Sequence, residues 1–178
     1  AGLPLKYSQG FNPRPKIVFG LPLSVGMEGE NELVDVSLTE ELSCSEVKER
    51  LAKAVPEEIC IKDVSYPEIK MKNIEYAVYD VVFYDFHADA AKVSEVLKNP
   101  PPVSKHTKSG EKLTDIAPMI KSWSVQIAGG DTLLTLTLTA YDSMYLKPDY
   151  VVDSLNSAGL CLPDNYSVTR TRIIFKEI

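Results

Sequence analysis

The residues best suited to recognition chemistry lie in one decapeptide, Tyr7-Ser8-Gln9-Gly10-Phe11-Asn12-Pro13-Arg14-Pro15-Lys16. Gly10, Asn12, Pro13 and Pro15 are turn formers, so the segment is a shaped loop. Tyr7 and Phe11 offer stacking planes and Arg14 and Lys16 offer cations, a combination that suits an anionic, flat-faced ligand such as RNA. Gln9 and Asn12 are taken with them as candidate contacts. The alternative is a structural loop whose aromatics fill the core. Residues 1–26 carry three cations and no acids, whereas the stretch from there through Glu68 carries twelve acids. Charge is therefore segregated along the chain.

A second group of candidates surrounds His106, flanked by Lys105 and Lys108 with Lys112 beyond. A histidine among lysines suits a phosphate contact, against the plainer reading of a solvated loop histidine. His87 lies near a helix start, where a solvated histidine is the ordinary case. Arg170, Arg172 and Lys176 recur at even spacing, which on a regular strand puts them on one face as a basic stripe, with Thr171, Ile173 and Phe175 on the other. The bland alternative is a solvated face making weak surface pairs. No catalytic residue is assigned, because acid–base work needs a titrating group held against its substrate.

Several classes are excluded or disfavoured. No nucleotide-binding glycine loop, HExxH or GxSxG motif is present. Cys44, Cys60 and Cys161 are odd in number and lack CxxC spacing, so neither a disulfide framework nor a metal site is expected, and no cofactor is assigned to this chain. No apolar run approaches the roughly 18 residues of a membrane span, and the start carries no signal-peptide pattern. A cytoplasmic protein without membrane attachment is the expectation. With 19 basic and 25 acidic side chains the net charge is −6, so any nucleic-acid site must be a local patch.

The elements that must position these residues read as α+β. Lys16 to Phe19 and Glu32 to Leu38 are expected strands, followed by a helix that begins at the Ser43/Glu46 capping signature, carries Val47, Leu51 and Val55, and stops at Pro56. Ile59 to Val64 reads as a further strand. Gly2 followed by Pro4 resembles the end of a helix, so a strand and a helix are expected to precede Ala1. Restoring them completes a βαββαβ, ferredoxin-like half. The remainder gives a central strand from Glu75, a helix over Ala90, Val93 and Leu97 closed by Pro100-Pro101-Pro102, and an excursion. A hairpin across Gly129-Gly130-Asp131, a helix from Pro148 to Gly159 and a strand over Ser167 to Phe175 complete it. The expected architecture is two ferredoxin-like halves, 1–70 and 71–178, the first incomplete at its N-terminus.

The runs Ala1 to Leu5, Tyr7 to Pro13, Pro15 to Ile17, Phe19-Gly20, Leu21-Pro22-Leu23 and Val25-Gly26 resemble the opening of the radical-SAM-linked family of uncharacterised bacterial domains. Gly110-Glu111-Lys112 with Asp115, Leu146-Lys147-Pro148 and Arg170 extend the resemblance over most of the chain. Its most specific part is Gly10 to Ile17, in which Arg14 stands where histidine is frequent in the family. The resemblance implies a radical SAM protein as partner, in trans or fused, and a preceding strand and helix. It implies no reaction.

Three functions follow as expectations. The leading one is a noncatalytic accessory or substrate-presenting domain that binds RNA, such as tRNA or rRNA, for the radical SAM partner. The second is a metal-independent RNA-processing enzyme with a twin ferredoxin-like fold, using His106 or Arg14 with nearby lysines. The third is a protein-binding module.

Overall fold

The structure is a computed structural model and describes residues 1–107, 110–141 and 144–177, with the side chains of His106 and Thr107 outside the description. In chain order the elements are β1 (Ile17–Phe19), β2 (Glu28–Gly29), β3 (Val34–Val36), α1 (Cys44–Ala52), β4 (Ile74–Phe83), α2 (Ala90–Lys98), β5 (Val103–Thr107), β6 (Gly110–Thr114), β7 (Ile120–Ala128), β8 (Asp131–Thr139), α3 (Pro148–Ser157) and β9 (Tyr166–Phe175). The class is α+β. The chain divides into two compact units, Ala1–Gly20 with Leu33–Met71, and Leu21–Glu32 with Lys72–Ile178.

In the first unit β1 and β3 pair antiparallel, Ile17 opposite Val36 and Phe19 opposite Val34. Bridges between Leu5 and Leu38 and between Tyr7 and Pro15 continue the pairing. The capping signature starts α1: the Ser43 hydroxyl accepts from the Glu46 backbone N–H at 3.2 Å. The Glu46 carboxylate does not close a reciprocal box but accepts from Arg50 Nη2 at 2.6 Å, one turn on. Val47 is the only buried apolar side chain of this unit among the described residues. The strand expected over Ile59 to Val64 does not form. Its residues run as irregular chain and Ile59 is 54% exposed. Strand propensity is expressed only where an edge pairs and a face is covered, and no described strand pairs with this segment.

In the second unit β4, α2, β7, β8, α3 and β9 follow one another in βαββαβ order, and the five-stranded sheet runs β2-β9-β4-β8-β7. All pairings are antiparallel except that β2 lies parallel to β9 at the edge. The excursion between α2 and β7 is the β5–β6 hairpin. Local chemistry explains the boundaries. The Asp89 carboxylate caps α2 by accepting from the Ala91 and Lys92 N–H groups at 3.1 Å each. Gly129 (φ +63°) and Gly130 (φ +105°) join β7 to β8 in a two-residue turn whose paired positive φ values suit the strand twist.

The strand registers define the core face. Phe83, Val81, Tyr79 and Ala77 of β4 lie opposite Thr132, Leu134, Leu136 and Leu138 of β8. Together with Val93 and Leu97 of α2 and Val151, Val152 and Leu155 of α3 they are buried. The opposite face is more polar, and there Thr135 Oγ1 donates to Asp80 Oδ1 at 2.7 Å. The alternation of Leu134, Leu136 and Leu138 with Thr135 and Thr137 is thus a true strand period, read by one core.

Candidate functional site

The loop of the first unit is held at its base by backbone pairing. Ser8 N–H donates to the Arg14 carbonyl at 2.8 Å and Lys16 N–H to the Lys6 carbonyl at 2.7 Å. The Ser8 hydroxyl accepts from Arg14 N–H at 3.0 Å, closing the loop from within. All six candidates, Tyr7, Gln9, Phe11, Asn12, Arg14 and Lys16, are exposed. Phe11 is 102% exposed and Tyr7 is 50% exposed. The aromatics therefore do not fill a core, and a rigidly based turn carries a phenyl ring wholly into solvent.

The basic residues of the second unit are placed differently. Lys105 is drawn inward: its Nζ donates to the Tyr145 carbonyl at 2.8 Å and stands 5.5 Å from the centre of the Tyr150 ring. Burial pushes its ammonium below the ordinary lysine range. Lys108 and the side chain of His106 lie outside the described residues. Glu111 lies opposite His106 in the backbone register of the β5–β6 hairpin. His87 is exposed.

The even-spaced stripe on β9 is broken. Arg170 lies opposite Tyr79 and Arg172 opposite Val78, so two residues of β9 are advanced against one of β4, and Thr171 is the extra residue of a β-bulge. Neighbouring residues of β4 face opposite ways, hence Arg170 and Arg172 do too. Arg172 is exposed. Arg170 turns to the core face and is 1% exposed. The sequence spacing predicts one face; the bulge reverses it because the period of two holds only while the ladder stays in register.

Arg170 is a clasp for the segment Leu21–Glu32. Its Nε donates to Glu32 Oε1 at 3.0 Å, and its Nη2 donates to both Glu32 Oε2 and the Leu21 carbonyl. The first and last residues of the segment thus meet on one guanidinium. Along β9 the segment is further tied by the β2 pairing, by Glu30 N–H to the Arg170 carbonyl at 3.0 Å, and by Asn31 Nδ2 to the Thr171 carbonyl at 2.7 Å. A Cβ at Gly29 would collide with the Glu32 carboxyl, so glycine is what lets that side chain fold back to the clasp. Burial works against the charge on Arg170, but Glu32 and then Tyr79 more than restore it, holding the guanidinium protonated.

Arg170 keeps one group in reserve. Its Nη1 is buried with no hydrogen-bond partner among the described residues, and the same is true of Tyr79 Oη across the ladder. Burial first, and then Tyr145, push the Tyr79 phenol well above its ordinary range, with Arg170 only partly opposing. The phenol is neutral and no base. Tyr145 and Arg170 both stand near it without meeting hydrogen-bond geometry. A cleft of about 380 Å³ adjoins, lined by Leu21, Pro22, Leu23, Ser24, Ala140, Tyr141 and Tyr145. An unpaired buried hydroxyl costs about 1–3 kcal/mol. Tyr79→Phe removes that cost without changing the ring, and with it the phenol's support of the Arg170 charge, so the fold is expected to stay intact with a melting temperature within a few degrees of the parent's. Calorimetry checks this, and a much larger drop would mean that the hydroxyl is satisfied in solution.

Arg170 is named by sequence reasoning as a surface contact and is found inside. Tyr79, Tyr145, Leu21 and Glu32 are not singled out by it. Tyr79 sits in the run Tyr76 to Tyr84 as one aromatic among several, and only the cross-strand register identifies it as the partner of a buried cation. Among the described residues no cluster of three or more His, Cys, Asp or Glu side chains is placed to hold a metal ion. No described helix is long and apolar enough to cross a membrane.

No curated protein and no solved structure matches the chain. A family profile does match residues 1–148, which takes in the exposed loop, Tyr79 and Tyr145 but stops short of β9 and Arg170. By that match the chain belongs to the family of uncharacterised proteins conserved in bacteria, DUF2344.

Proposed function

We propose that the chain is a noncatalytic domain that binds single-stranded RNA and presents it to a partner enzyme. The observation that carries this reading is the complete exposure of Phe11 at the turn of a loop whose base is fixed by the Ser8 and Lys16 backbone bonds. Exposed aromatic rings on a fixed platform stack on unpaired bases, which duplexes do not offer. Arg14 and Lys16, exposed in the same loop in a stretch without acids, supply phosphate contacts despite the overall charge of −6. The sequence resemblance supports a radical SAM protein, separate or fused, as the partner enzyme.

The test is fluorescence anisotropy of one labelled oligoribonucleotide, single-stranded and then annealed to its complement, in chelator and at two salt concentrations. The single strand is expected to bind more tightly, to lose affinity as salt rises, and to be recovered intact. Equal affinity for the duplex would count against stacking. Cleavage in chelator would favour the metal-independent enzyme instead.

A further inference from the structure

The two edges of the five-stranded sheet are finished differently. One ends in β2, which is two residues long and carries Glu28, so it offers almost no ladder to another chain. The other is β7, nine residues long and, among the described residues, paired on one side alone. It holds no proline, and its single charge, Lys121, sits at the irregularity near its start. The devices that usually blunt an edge are therefore missing from Ser122 to Ala128.

The turn at Gly129-Gly130 decides which backbone groups are free. A two-residue hairpin makes Ala128 and Asp131 a hydrogen-bonded pair, and the pattern then alternates, so Gln126, Ser124 and Ser122 bond to Leu133, Thr135 and Thr137. The N–H and C=O groups of Ile127, Val125 and Trp123 point away from β8. Outside the ladder no described residue takes them up. The same three residues lie opposite Thr132, Leu134 and Leu136, which puts their side chains on the core face of the sheet, at its rim. Ile127 is 48% exposed there, and Trp123 and Val125 are half-buried.

We infer that β7 is a self-association edge, at which two copies of the chain pair antiparallel about a two-fold axis at Val125 and join their sheets into one. The spacing is self-complementary: Trp123 of each copy meets Ile127 of the other and Val125 meets its own copy, with two backbone hydrogen bonds for each such pair. Aromatic against β-branched is a favoured cross-strand pairing, and here it covers the apolar rim that one copy leaves open. Charge agrees, because Lys121 at the start of one strand comes to the Gly129-Gly130-Asp131 turn of the other. The contact closes at two copies, since each has one β7 and β2 is too short to continue the sheet. A single strand pair is at the small end of specific interfaces, so the dimer should dissociate on dilution in the micromolar range. The inference is independent of the RNA reading.

The experiment is sedimentation velocity of the full chain from about 1 to about 300 μM, in reductant because Cys60 and Cys161 are exposed. Mass is expected to rise from monomer to dimer and no further, with the emission of Trp123, the only tryptophan, moving to shorter wavelength over the same range. Amide exchange reads the register: on association Trp123, Val125 and Ile127 should slow at least about tenfold, and Ser122, Ser124 and Gln126, already bonded to β8, far less. Ile127→Lys puts a charge on the exposed rim and Val125→Pro removes an outward N–H without taking a bond from β8. Each is expected to keep the far-UV spectrum and to weaken the dimer at least about tenfold. A chain still monomeric at the highest concentration would overturn the inference, and the edge would then be open to a strand of another protein. So would growth beyond the dimer, or a dimer that Ile127→Lys leaves intact, which would place the contact elsewhere, for example on the exposed Ile17, Val18 and Phe19.

Discussion

Arg170→Met is expected to destabilise the second unit by about 3 kcal/mol, the lower end of the cost of breaking a buried ion pair, because Glu32 regains some hydration. The Glu32 side chain is 40% exposed against 1% for Arg170, so the stranded carboxylate is not fully desolvated. What is lost is geometric as well as electrostatic, since one planar fork holds the carbonyl of Leu21 and the carboxylate of Glu32 together. Amide hydrogen exchange over residues 21–32 should therefore rise more than over β8 in the same variant. Arg170→Lys should be intermediate, keeping the charge but not the fork. The double variant Arg170→Met with Glu32→Leu should recover part of the loss by removing the unpaired carboxylate. An Arg170→Met chain as stable as the parent, with unchanged exchange in the segment, would contradict the clasp.

Phe11→Ala has the opposite profile. The ring touches no core, being 102% exposed, so stability should move by no more than about 0.5 kcal/mol, the usual range for surface substitutions. Affinity for single-stranded RNA should fall about tenfold, since stacking on one base is worth about 1–3 kcal/mol. Phe11→Trp should retain binding, because the requirement is for a flat ring. Arg14→Gln and Lys16→Gln should instead flatten the salt dependence, by about one unit of slope for each phosphate contact removed. Phe11→Ala with parental RNA affinity would show that the exposed ring is not a binding element.

The contrast between these two residues shows which features were legible in the sequence. Elements set by local chemistry were readable: the Ser43 cap of α1, the glycine turn between β7 and β8, and the Leu134 to Leu138 alternation. The loop was readable too, because its Gly, Asn and Pro residues act through their own backbone preferences. Features set by distant pairing were not. Thr171 becomes a bulge only through its register with Val78 and Tyr79. Leu21–Glu32 joins the second unit only through partners on β9, far along the chain. Ile59 to Val64 has strand composition, but composition cannot supply the missing edge. Arg170 illustrates the consequence, since one extra residue in a ladder moved it from an expected surface stripe to the core.

Photocrosslinking tests the RNA reading most directly. A single-stranded oligoribonucleotide carrying 4-thiouridine is bound to the full chain, irradiated and digested, and the modified residues are located by mass spectrometry. Zero-length crosslinks report the side chains in contact with bases, independent of any effect of mutation on folding. The modified peptide is expected to span Tyr7 to Lys16, with Phe11 or Tyr7 as the attachment point. Crosslinks confined to other segments, with Tyr7 to Lys16 unmodified, would contradict it.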